Sequence, residues 1–181
     1  MPVSNLLLLC LDAQPIFLKA MADPATLQRR CAFAVQAAAG LGVEVLFTEQ
    51  VPQKLGGTAP ELLAHAPHAA VFGKNTFSAF GEIPVREAIQ SRKIEHLLIC
   101  GLETPVCVYQ TTLDALAAGL QVTLLSDCLG ARRVEDARVC LDALTRAGAH
   151  ALPSETVFYA LLHDVTHPFF KPYTQLVKTH A

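Results

Sequence analysis

Five short, mostly apolar runs recur along the chain: Leu6 to Leu11, Val43 to Phe47, Ala69 to Phe72, His96 to Cys100 and Val122 to Leu125. A strand with one wet face alternates apolar and polar residues. A run that stays apolar has both faces covered, which points to a parallel sheet between two helical layers. The segments between the runs supply helices. Leu27, Cys31 and Val35 recur at helical spacing behind Asp23-Pro24, with Gly40 at the position of a C-terminal glycine cap, and Val134, Ala137, Leu141 and Leu144 repeat the pattern before Gly148. Strands alternating with amphipathic helices give right-handed crossovers and a doubly wound α/β fold, a Rossmann-like three-layer arrangement. No linker or repeat interrupts the pattern, so residues 1–181 read as one domain. The segment from Thr48 to about His68 is long for a connection and contains Gly56-Gly57, which makes it a candidate binding loop. The tail around His167-Pro168-Phe169-Phe170 leads into a last short helix.

Charge narrows the partners. With 14 Lys+Arg against 16 Asp+Glu the net charge is −2, so no global field favours a phosphate backbone or an anionic membrane. Mean hydropathy is +0.36, but no apolar run approaches the roughly 18 residues of a membrane span. The opening MPVSNLLLLCLDAQ has neither the basic start of a secretory signal nor the arginines of a transit peptide. The expected location is therefore cytoplasmic, with a mitochondrial association left open. Six cysteines without a Cys-x-x-Cys pair, in a chain large enough for a full core, read as reduced thiols.

One of these thiols occupies an unusual place. In Gly101-Leu-Glu-Thr-Pro-Val-Cys-Val-Tyr-Gln-Thr111, directly after the fourth run, Thr104 suits an N-cap and Pro105 the first helical position, which puts Cys107 at the third. Unpaired amides and the helix dipole lower the pKa of a thiol there, so a thiolate near neutral pH is the expectation. In open parallel sheets, ligands bind beyond the carboxyl ends of the strands, where the strand order reverses. With the order 3-2-1-4-5-6, Asp12 after the first strand meets Cys107 after the fourth. Lys74, in Phe72-Gly-Lys-Asn-Thr-Phe77, ends the third. A carboxylate can take the thiol proton and an ammonium can stabilise the anion. Each residue alone has a plainer reading, as a core thiol, a helix cap and a loop charge.

The sequence resembles the isochorismatase-like cysteine hydrolases, and within them the isochorismatase domain-containing proteins, over nearly its whole length. The resemblance lies in Leu11-Asp-Ala-Gln14 with Phe17, in Thr48-Glu-Gln-Val-Pro52, in Leu55-Gly-Gly-Thr58 and Pro60-Glu-Leu62, in Gly73-Lys-Asn-Thr-Phe-Ser78 and in Gly101 to Thr111. Further matches are Ser126-Asp127, Gly148-Ala149, Ser154-Glu155 and His167 to Lys171. It implies a catalytic triad of Asp12, Lys74 and Cys107. It also implies a non-proline cis peptide at Leu102-Glu103, which would aim the amides of Val106 and Cys107 at an oxyanion. Gln14, Phe17, Glu49, Gln50 and Tyr109 are the expected pocket residues. Pro105 departs from the histidine common in relatives, and the first long loop lacks the Asp-x-His pattern of the metal-binding nicotinamidase branch, so neither a metal nor another cofactor is expected.

The activity implied is a metal-free cysteine hydrolase acting on a small carbonyl compound, preferably at an amide C–N bond, through a thioester. Isochorismate fits poorly, because vinyl-ether hydrolysis gives the thiol no task. The alternatives are a ribonuclease-like enzyme, since some similar proteins carry the label of mitochondrion-associated ribonuclease, and an oligomeric scaffold with a vestigial site. The expected partners are a small-molecule substrate and further copies of the chain, with neither nucleic acid nor membrane. Self-association is inferred from the apolar tail around Phe169 and Phe170.

Overall fold

The computed structural model describes residues 3–180. The elements follow in the order β1 (Leu6–Leu11), α1 (Pro15–Leu18), α2 (Pro24–Gly40), β2 (Glu44–Gln50), α3 (Pro52–Leu55), α4 (Pro60–Ala64), β3 (Ala70–Lys74), α5 (Ile83–Ser91), β4 (His96–Gly101), α6 (Tyr109–Ala117), β5 (Gln121–Leu129), α7 (Val134–Arg146), β6 (His150–Leu152), α8 (Ser154–Leu162) and α9 (Phe170–His180). The strands form one parallel sheet in the order β3-β2-β1-β4-β5-β6.

The unbroken apolar runs are explained by the division of the core. Leu6, Leu8 and Cys10 of β1 enter one hydrophobic layer with Leu98 and Cys100 of β4, under α2, α8 and α9. Leu7, Leu9 and Leu11 enter the opposite layer with Leu97 and Ile99, under α5, α6 and α7. Successive strand side chains point to opposite faces, so a run buried on both faces has no position left for a polar residue. The connection changes face between β3 and β4. The chain therefore winds outward from the centre in both directions, leaving β1 and β4 side by side at the switch point.

Several local expectations are corrected. A sixth strand, β6, lies at one edge; it is three residues long and too short to show a pattern. Gly40 is the last helical residue of α2 and not its cap, which is Leu41. A Cβ on Gly40 would lie 1.9 Å from the Phe169 ring, so contact with the tail calls for glycine there. The same packing removes the basis for an exposed apolar tail, because Phe169 and Phe170 lie against the core layer under α2 and α9. The 48–68 segment is not an open loop: β2 continues to Gln50, and α3 and α4 occupy half of the remainder. Among the described residues, no helix is long and apolar enough to cross a membrane.

Candidate active site

Three strand ends bring the proposed reacting groups together. Asp12 follows β1, Lys74 closes β3, and Cys107 stands in the first turn after β4. Lys74 Nζ lies 2.8 Å from Asp12 Oδ2 and 3.5 Å from Cys107 Sγ. The ammonium also donates to the carbonyls of Thr76 and Phe77, 3.1 Å each, and to Gln50 Oε1. Lys74 is 1% exposed and Asp12 2%; charges buried this completely persist only when paired.

The backbone holds Asp12 in place at a conformational cost. Its φ is +51°, in the left-handed region that a non-glycine residue seldom occupies, and its N–H donates to Thr48 O at 3.0 Å. Oδ1 accepts from the Thr48 hydroxyl at 2.8 Å. Oδ2 faces the ammonium without the alignment of a hydrogen bond and accepts none from the described residues. One lone pair of the carboxylate therefore remains open to a proton.

The turn carrying the thiol differs from the expected cap. Thr104 does not cap it: both its N–H and its hydroxyl donate to Gly130 O, 2.8 Å each. The turn itself, Thr104–Val108, is π-helical and starts after Glu103, which moves Cys107 one place beyond the third position. Single π turns recur at functional sites. The peptide between Leu102 and Glu103 is cis. The Val106 amide expected to face an oxyanion donates instead to Glu103 O at 2.9 Å, and that of Leu102 donates to Leu11 O at 2.9 Å, so both are occupied.

The thiol also departs from expectation. Burial, joined by the negative charge of Asp12, pushes the Cys107 pKa up to about 12, and Lys74 offsets this only in part. Loss of water and the neighbouring carboxylate outweigh the helix end, so the resting group is a neutral thiol.

Cys107 and Asp12 open onto a cavity of about 490 Å³, whose wall includes Phe17, Gln50, Leu102, Glu103 and Val106. Three residues expected in the pocket do not line it. Gln14 is fully buried and grips the backbone of Gln50, accepting from its N–H at 2.6 Å and donating to its carbonyl at 3.1 Å, with a further bond to Gly56 O at 2.5 Å. Glu49 accepts from Thr58 N–H at 2.7 Å and fastens the segment after α3. Tyr109 packs against the core layer under α5, α6 and α7. Conversely, Ala20, Met21, Phe77 and Arg132 line the cavity although sequence reasoning did not single them out. Phe77 had a signal in the segment that carries Lys74, whereas Arg132 had none.

Residues 6–156 match the isochorismatase domain. The chain belongs to the isochorismatase family. Among curated isochorismatase relatives, isochorismatase domain-containing protein 2 of Macaca fascicularis is 35% identical over 100% of this chain and 86% of its own. The secreted isochorismatase effector Isc1 of Phytophthora sojae is 32% identical over 99% of this chain and 87% of its own. Among solved structures, that of the MAR1 ribonuclease from Caenorhabditis elegans superposes with a TM-score of 0.92 at 28% identity, covering 98% of this chain and 92% of the other. Isochorismatase-family proteins are hydrolases in general, and the fold is shared with the nematode structure.

Proposed function

We propose that this isochorismatase-family chain is a cysteine hydrolase cleaving a small carbonyl substrate, preferably an amide, with Cys107 as nucleophile, Asp12 as base and Lys74 as the fixed cation. The observation that carries this reading is the position of Lys74 Nζ, 2.8 Å from the carboxylate and 3.5 Å from the sulfur, beside a cavity that both partners line. A raised thiol pKa is compatible with it. Losing the proton to bulk water would leave two anions beside one cation. Passing it to the open lone pair of Asp12 conserves the net charge and leaves the thiolate facing the ammonium alone.

In the proposed sequence, Asp12 takes the thiol proton as sulfur attacks the carbonyl carbon. The amine leaves with that proton, and a water deprotonated by Asp12 opens the thioester. Since the Val106 and Leu102 amides are occupied, the Cys107 N–H is assigned to the developing oxyanion. The test is a screen of small primary amides for ammonia release, run with wild type and Cys107→Ala side by side. Cys107-dependent release is expected; equal rates would remove the nucleophile from the mechanism.

The name of the nematode structure raises nucleic acid as an alternative. The cavity wall carries a single basic residue, Arg132, set among apolar side chains, and offers no track of cations for a phosphate backbone. Gel-shift assays with RNA at low and high salt should show no retained complex. Self-association is proposed on different ground from the tail. Val134 and Val139 of α7 are 64% and 59% exposed, and Leu144 is the only fully buried residue of that helix. Light scattering should give a mass above 19.5 kDa; that mass itself would mean a monomer.

A further inference from the structure

Arg132 lies outside the short motifs quoted for the family resemblance, yet among the described residues lining the cavity it is the only cationic side chain. Phe17, Ala20, Met21, Phe77, Leu102 and Val106 are most of the other lining residues. An exposed ion pair elsewhere on the surface would contribute little and call for no function. This one lines the same cavity as the proposed nucleophile, and its geometry is lopsided. Arg132 Nε lies 3.0 Å from both carboxylate oxygens of Glu103, and the Arg132 N–H also donates to Glu103, at 3.4 Å. No hydrogen bond from either terminal amino group reaches the described residues. A guanidinium offers paired donors along one side and a second pair at its end, and here the end pair is free. The Arg132 side chain is 62% exposed and that of Glu103 18%, so the cationic head meets solvent while its counter-ion is largely covered.

Glu103 therefore serves Arg132 as an anchor and is poorly placed to receive a cationic ligand itself. The anchored guanidinium is also oriented before anything binds, which reduces the ordering cost of recognition. We propose that Arg132 is the carboxylate-binding end of the substrate site. The amide cleaved at Cys107 then belongs to a molecule with a short apolar body and a carboxylate at the end remote from the scissile bond. This rests on the reading of Cys107 as nucleophile, which tells us which group of the ligand faces the sulfur.

Two matched pairs of probes test it: glutaramate with its uncharged isostere, in which an isopropyl group replaces the carboxylate, and terephthalamate with its para-isopropyl analogue. In wild type, kcat/KM should favour the charged member of at least one pair. In Arg132→Met that preference should fall by about tenfold or more, as expected for loss of a charge-assisted bidentate contact. Arg132→Lys should restore part of it, and Glu103→Gln should raise it by removing the competing anion. No preference in wild type, or equal loss for both members in Arg132→Met, overturns the proposal. Calorimetric binding of glutaramate to Cys107→Ala, with and without Arg132→Met, separates the two readings. Arg132-dependent binding without turnover in wild type would sink the nucleophile and keep the subsite. Cys107-dependent turnover without a charge preference would do the reverse. Neither binding nor turnover would overturn both.

Discussion

The chemistry proposed for Cys107 depends on which of its neighbours acts more strongly. Asp12 raises the thiol pKa and Lys74 lowers it, against a background of burial that also raises it. Iodoacetamide labelling of the folded protein should therefore follow a titration with its midpoint above the free-thiol value of about 8.5. Asp12→Asn removes an anion, so the midpoint should fall and neutral-pH labelling quicken even as turnover is lost. Lys74→Met removes a cation, so the midpoint should rise further. Peptide mapping resolves Cys107 from the other five thiols, and a wild-type midpoint below about 8.5 would contradict the electrostatics described. That Asp12 and Cys107 come together was legible because a parallel sheet gathers whatever follows its central strands, whereas Lys74 was legible from the segment that carries it, at the end of edge strand β3. The sign of the thiol shift was not, since the helix end is visible in a sequence while desolvation and the distance of a carboxylate are not.

At the scale of elements, the site depends on how closely β1 and β4 approach at their last paired residues, Leu11 and Gly101. Gly101 has a φ of +106°, and a Cβ there would lie 2.1 Å from Leu11 O, the carbonyl that precedes Asp12. Gly101→Ala should cost at least about 2 kcal/mol from backbone strain and contact with a neighbouring strand. It should also lower kcat by displacing the aspartate. Urea melts alongside assays will show whether both quantities fall; retention of either would mean that the strand ends are more yielding than their spacing suggests. The strands buried on both faces announced themselves in the sequence, because β1 has no polar residue and β4 has only His96 at its start. Short β6 and the helical turns α3 and α4 did not, being fixed by tertiary contacts such as the grip of Gln14 on Gln50 and Gly56.

For the molecule as a whole, the buried thiols set an alkaline limit. Burial holds the pKa of Cys128 well above the ordinary value and, with Asp12, that of Cys107 near 12, so the folded chain keeps protons that the unfolded chain releases near pH 8.5. Above that pH the unfolded state binds fewer protons. Stability should then decline by about 1.4 kcal/mol per pH unit for each retained proton, and acidification from neutrality should produce no such loss through these groups. Thermal melts between neutral pH and pH ~11 would reveal a flat curve if the thiols were not protonated in the native state.

The sheet order has a consequence for how the protein fails. Lys74 is delivered by β3, an edge strand that pairs only with β2 and whose Val71 is 41% exposed, whereas Asp12 and Cys107 follow strands of the interior. Edges fray at lower free energy than centres, and a slip of one residue would turn the lysine to the opposite face. On warming, turnover should fade reversibly a few degrees before the far-ultraviolet signal of the sheet is lost. The proposed catalytic cation would then double as a reporter, and activity would measure the fastening of one outer strand more sensitively than it measures the survival of the fold.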